Sequence, residues 1–143
     1  MASALKFGQA RLSAGTLDMV GVEACLRETG PEYFASVKRE YMARRDLIVE
    51  RLSAIPGVKV PTIDGAFYAV VELPIDDSDA FCQWMVESFR HHGETVLMAP
   101  ATGFYITPGL GRREVRLAYV LDQERLGRAM DCLAAGLVAY GAK

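Results

Sequence analysis

Apolar residues recur along this chain with helical spacing in four places and as short continuous or alternating runs in three or four others. From about Thr16 to Arg27, Leu17, Val20 and Ala24 mark a first helix, closed by Thr29-Gly30-Pro31. Pro31 suits a first helical position, because its missing N–H would have no partner there. A second helix is predicted from Pro31 to Ala54, with Phe34, Val37, Tyr41, Ile48, Leu52 and Ile55 on one buried stripe. Arg39, Glu40, Arg44, Arg45 and Asp46 read as its wet face, and Ile55-Pro56-Gly57 stops it. A short strand at Val58–Val60 and a longer one from Ala66 to Leu73 follow. Asp76-Asp77-Ser78 offers N-caps for a third helix carrying Phe81, Trp84, Met85 and Phe89 on one face, so Trp84 is expected to be buried. Gly93 ends that helix. The third main strand is placed at Thr95–Met98 and the fourth at Glu114–Leu121. A last helix from Gln123 to Tyr140 should bury Leu126, Met130, Leu133 and Leu137. Helices alternating with few strands, and one strand pair joined by a loop rather than a helix, indicate the α+β class.

At 143 residues, 51% apolar and 24% charged, the chain has the size and composition of an ordinary globular domain. Sixteen Lys and Arg against 18 Asp and Glu leave a net charge of −2, which gives no electrostatic footprint for nucleic acid or membrane. No apolar run approaches the roughly 20 residues of a membrane span, and no signal-peptide core is present, so a cytoplasmic location is the default expectation. Cys25, Cys82 and Cys132 are far apart and lie among helix-patterned apolar residues, which predicts reduced, buried thiols.

The most informative stretch is Glu114-Val115-Arg116-Leu117-Ala118-Tyr119-Val120-Leu121, which reads as a buried strand with an arginine set into it. Stripping water from a guanidinium costs several kcal/mol unless an anion compensates. The planar fork of Arg fits a carboxylate with two parallel bonds. The segment alone leaves three readings open: a ligand carboxylate, an internal ion pair with Glu or Asp, or an edge-strand Arg reaching solvent.

Other tempting motifs are bland. Gly109-Leu110-Gly111 starts a G-x-G, but Glu114 stands where a third glycine is needed and a strand follows instead of a helix. His91 and His92 are neighbours that cannot face one metal from a helix, and Asp76, Asp77 and Asp79 are better explained as caps than as a calcium loop. No Cys/His spacing suggests zinc, and no metal site is expected. Spacing alone places Phe67, Tyr68, Phe104 and Tyr105 in the core more readily than against a ligand.

The order of Gly65-Ala66-Phe67-Tyr68, Ala99-Pro100-Ala101-Thr102-Gly103-Phe104 and Val115-Arg116-Leu117-Ala118 resembles the C-terminal, small domain of fold-type I, class I/II pyridoxal-phosphate aminotransferases, the aspartate aminotransferase-like family. The resemblance spans essentially the whole chain. It implies a small, mostly antiparallel sheet of three to four strands layered with helices. Residues 31–143 would form the small domain, and residues 1–30 a segment continuing from an absent cofactor domain.

The resemblance also implies roles. Arg116 would grip the substrate α-carboxylate, with Phe104 and Gly65 lining the ligand site. Arg11, in Gln9-Ala10-Arg11-Leu12, would reach a partner subunit's site and pair with the distal carboxylate of a dicarboxylic substrate. Amino acids and 2-oxo acids are the implied substrates, an N-terminal cofactor-binding domain and a second copy in a homodimer the implied partners. The family's Schiff-base lysine has no match here: Lys6, Lys38, Lys59 and Lys143 all lack its Ser-x-x-Lys setting. Pyridoxal 5'-phosphate is therefore implied for the full-length enzyme, and neither bound cofactor nor activity is expected of this chain alone. The alternatives are a non-enzymatic binding or dimerisation module of the same fold, and a related pyridoxal-phosphate lyase.

Overall fold

The computed structural model describes residues 2–10 and 13–141. Its elements run α1 (Ala2–Ala10), α2 (Thr16–Glu28), α3 (Pro31–Ser53), β1 (Tyr68–Glu72), α4 (Ser78–Glu87), β2 (Ala99–Pro100), β3 (Glu114–Ala118) and α5 (Gln123–Gly141), with one 3-10 turn at Thr102–Phe104. Two compact units divide the chain, Met1–Lys38 and Arg39–Lys143.

In the first unit α2 has no buried residue, and Leu17 and Leu26 are 88% and 81% exposed. Helical periodicity located α2 correctly, whereas α1 has no counterpart in the predicted elements. Cys25 is exposed, against the expectation of a buried thiol, because α2 finds nothing to bury its apolar side chains against within this unit. Phe34, placed on the buried stripe of α3 by its spacing, is also exposed.

The second unit holds the core. The sheet is antiparallel throughout, in the order β1-β3-β2, as the α+β expectation requires. Alternate residues of each strand face opposite sides. Ala69, Val71, Val115 and Leu117 face inward and join Ile48 and Leu52 of α3, Phe81, Cys82 and Met85 of α4, and Leu126, Met130, Leu133 and Leu137 of α5 in one buried cluster. Burial of this apolar surface drives the fold at roughly 25 cal/mol per Å². Gly136 lets α5 approach α4 closely, since a Cβ there would lie 2.5 Å from Met85 Sδ.

Several boundaries differ from the sequence reading. The strand expected at Val58–Val60 shrinks to a bridge between Lys59 and Glu72. The third strand is Ala99–Pro100 instead of Thr95–Met98, although Val96 and Met98 are buried and Leu97 is 82% exposed. Asp77 caps α4 by accepting from Ala80 N at 3.0 Å, as its side chain suggests. The helix ends at Glu87, before the histidines, because Arg90 Nη1 folds back to donate to Val86 O at 3.0 Å and Phe89 O at 2.6 Å. His91 then bridges to Glu94 in a turn with His92 at φ 51°. Trp84 is only partly buried, lying 5.1 Å from both Phe89 and Tyr140 between ring centroids.

Candidate functional site

The three strands leave their outer face open, and its centre is Arg116. β3 is the middle strand; its register sets Arg116 opposite Val70 of β1 on one side and Ala99 of β2 on the other. Val115 and Leu117 turn inward, 0% and 5% exposed, while Arg116 between them is exposed. This corrects the picture of an arginine inside a buried strand. The strand is buried on one face only, so the guanidinium escapes the desolvation cost that would demand an internal anion. Of the other readings, the internal ion pair is not seen among the described residues, and Arg116 does reach solvent, though from the open face of a middle strand and not from an edge.

The neighbouring acids are engaged elsewhere. Glu72 binds Lys59 Nζ at 3.0 Å and lies 3.8 Å from Arg113 Nε. Glu114, two residues from Arg116 on the same face, accepts from the Tyr105 hydroxyl at 2.5 Å. That bond, made chiefly to the neutral phenol, raises the Tyr105 hydroxyl above its ordinary pKa, with a smaller push from burial. These pairs line a surface cavity of about 410 Å³ whose apolar wall includes Val70, the cross-strand neighbour of Arg116.

What does touch Arg116 is aromatic. Its Cζ lies 4.9 Å from the Phe104 ring centroid and 5.3 Å from that of Tyr68. Tyr68 reaches it from β1, Phe104 from the 3-10 turn after β2. The turn is anchored at both ends. Ala101 N donates to Glu114 O at 3.0 Å, Phe104 N to Ala101 O at 3.0 Å, and Thr102 Oγ1 to Asp79 Oδ2 at 2.7 Å. Gly111 closes the loop at φ 78°, where a Cβ would stand 2.6 Å from the Ala101 carbonyl carbon and oxygen. Buried Ser78 donates to Gly111 O at 3.1 Å.

Of the residues singled out in the sequence, Arg116 and Phe104 are brought together. Gly65 is tied elsewhere: Tyr119, buried behind the strand, donates its hydroxyl to Ala66 O at 3.0 Å and Gly65 O at 3.4 Å. Burial is the main cause of the upward shift of that phenol. Arg11 lies outside the described residues. Phe67, Tyr68, Phe104 and Tyr105 are all exposed, between 40% and 53%, so the expectation that spacing places them in the core is overturned. Tyr68 is the residue the sequence reading missed. The signal was available in parity, because Tyr68 and Val70 share the face that pairs with Arg116.

No family model matches the chain. Over 120 residues it is 32% identical to an aspartate aminotransferase of Pyrococcus horikoshii, covering 82% of this chain and 29% of that protein. A probable aspartate/prephenate aminotransferase of Thermus aquaticus is 32% identical over 114 residues, covering 78% and 26%. The chain carries the C-terminal domain of the aspartate aminotransferase-like family. The solved α-aminoadipate aminotransferase of Thermus thermophilus shares the fold of this aminotransferase domain, with a TM-score of 0.78 at 23% identity over 94% of this chain and 34% of that one. The chain thus spans between 26% and 34% of the length of these relatives. All are aminotransferases, so neither the binding-module nor the lyase alternative is favoured.

None of the described lysines has the setting of one that holds a cofactor covalently. Such a lysine works desolvated, whereas Lys6 and Lys38 are exposed on helices and Lys59 is ion-paired with Glu72; Lys143 lies outside the described residues. Among the described residues no cluster of three or more His, Cys, Asp or Glu is arranged to hold a metal, and no helix is long and apolar enough to cross a membrane.

Proposed function

We propose that the full-length protein is a pyridoxal-phosphate-dependent aminotransferase, moving an amino group from an amino acid to a 2-oxo acid, and that this domain supplies the α-carboxylate anchor, Arg116. The observation that carries the reading is the open edge of Arg116: an exposed guanidinium on a central strand, with rings against it and no acid paired to it among the described residues. The Thermus thermophilus α-aminoadipate aminotransferase was solved with N-(5'-phosphopyridoxyl)-L-leucine, which supports the cofactor and an amino-acid ligand. A separate cofactor-binding domain would hold the pyridoxal phosphate, since the lysines described here do not.

In this reading Arg116 receives the substrate carboxylate through two parallel N–H···O bonds. Fixing that end orients the bonds at Cα, and orientation alone can remove several kcal/mol from a barrier. Phe104 shields the ion pair from water, which strengthens it. Gly65, held by the Tyr119 hydroxyl ahead of β1, would come to the ligand only through the part of the site that the cofactor-binding domain supplies. Arg11 pairs with the distal carboxylate of a dicarboxylic substrate across a homodimer, and the enzyme works in the cytoplasm.

The test is formation of a 2-oxo acid from a panel of amino acids by the full-length protein. Turnover that is lost in Arg116→Gln for every substrate supports the reading, and Arg11→Ala should impair dicarboxylic substrates alone. Full activity in Arg116→Gln would refute the anchor.

A further inference from the structure

We propose that Tyr68 and Phe104 are positioning residues that hold the Arg116 guanidinium in place by stacking, leaving its N–H edge free for a carboxylate. The inference rests on the carboxylate-anchor reading above but concerns a separate property, the immobility of the cation. A guanidinium has two chemically distinct regions. Its donors all lie in its plane, whereas its faces attract the negative π-cloud of a ring. Stacking and carboxylate binding therefore use different parts of the same group and do not compete. Cζ–centroid distances of 4.9 Å to Phe104 and 5.3 Å to Tyr68 lie within the roughly 6 Å over which this attraction acts.

Two further features make the arrangement a holder and not a chance contact. Both rings come from constrained backbone: Tyr68 is paired in β1 against Ala118, and Phe104 sits in the turn anchored by Ala101 N, Thr102 Oγ1 and Gly111. The nearest acid on the same strand face, Glu114, is engaged by the Tyr105 hydroxyl. A free surface arginine gives up rotamer freedom on binding. Rings that restrict it beforehand reduce that loss, and Tyr68 needs its ring for this, not its hydroxyl.

The experiment uses the 143-residue chain labelled with 15N-arginine, with the Arg116 Nε–Hε signal assigned by its disappearance in Arg116→Gln. Arg116 should show a ring-current-shifted signal and a higher order parameter than exposed Arg39. Tyr68→Leu and Phe104→Leu should each lower that order parameter and move the signal toward the exposed position, while Tyr68→Phe keeps both. Both leucine variants replace exposed side chains, and unchanged amide dispersion elsewhere confirms their fold. Sodium acetate serves as the carboxylate probe: its apparent affinity at Arg116 should fall roughly two- to fivefold in Tyr68→Leu and stay near wild type in Tyr68→Phe. If acetate leaves the wild-type Arg116 signal unmoved while the ring variants still loosen it, the anchor reading fails and the holder stands. If wild-type Arg116 is as mobile as in the leucine variants, the holder is refuted whatever acetate does.

Discussion

On the inner face of the sheet Val71 lies opposite Val115 with neither exposed, and Ala69 opposite Leu117 with 4% and 5%. One residue along the same strands, on the outer face, Val70 lies opposite Arg116, and Tyr68, Glu72 and Glu114 flank them with side chains reaching solvent. The backbone ladder is common to both faces; only parity separates them. The inner face is covered by α3, α4 and α5 and carries the stability. The outer face has rings, ion pairs and a cation in place of a packed layer, and stands to contribute little to stability and most of the binding.

Perturbing the covered side should produce the largest stability losses. Phe81 has no exposed surface, so Phe81→Ala should cost about 3–5 kcal/mol, read from the urea midpoint. Trp84, only partly buried, should lose less on the same substitution, about 1–3 kcal/mol. Equal losses at the two positions would show that the cluster does not extend as described.

The difference between Phe81 and Trp84 also indicates what the sequence makes legible. Helical periodicity marks α3, α4 and α5 well, because each buries one stripe against the same cluster. Periodicity cannot tell full from partial burial within a stripe, so Phe81 and Trp84 look alike. The strand near residue 97 is a similar case. Val96 and Met98 are buried around exposed Leu97, so the alternation is real, yet the ladder forms only at Ala99–Pro100. Burial is written in the side chains; hydrogen-bond pairing depends on a partner that the local sequence does not name. Around Arg116 the alternation Val115-Leu117-Tyr119 was present, but apolar Ala118 and Val120 on the other parity made the strand read as buried throughout. The aromatic character of Tyr68 and Phe104 hid their exposure in the same way. Both lie on the outer face, within 5.3 Å of the Arg116 guanidinium carbon.

Gly111 packs against Ala101, where the chain passes from buried Ala101 to the turn carrying exposed Phe104. Gly111→Ala forces a Cβ against the Ala101 carbonyl at φ 78°, and should cost about 1–3 kcal/mol by thermal or urea unfolding. It should also disturb the ring-current shift at Arg116. A neutral outcome would mean that the loop adjusts freely.

A smaller effect appears at high pH. Burial, aided by nearby Asp79, raises the Cys82 thiol from its ordinary 9.0 to about 11. The folded state therefore keeps a proton that the unfolded chain releases, so this contribution is intact below pH 9 and is lost as pH rises toward 11. Unfolding midpoints should fall across that window, and Cys82→Ala should flatten the fall. A thiol reagent at neutral pH should modify exposed Cys25 in the native chain and spare Cys82 and Cys132. Smallest of all, Arg116→Gln should shift stability by less than about 0.5 kcal/mol, because it removes nothing from the covered face.

The claim that the outer face exists to hold a carboxylate is tested most directly by Arg116→Lys in the full-length protein. Lysine keeps the charge but loses the planar fork and its stacking face. With kcat/KM measured for several amino acids, it should fall by at least about a hundredfold, some 2.7 kcal/mol, and by a similar factor for every side chain, since all share the α-carboxylate. Near-normal turnover in the lysine variant, or a loss confined to one class of side chain, would contradict it.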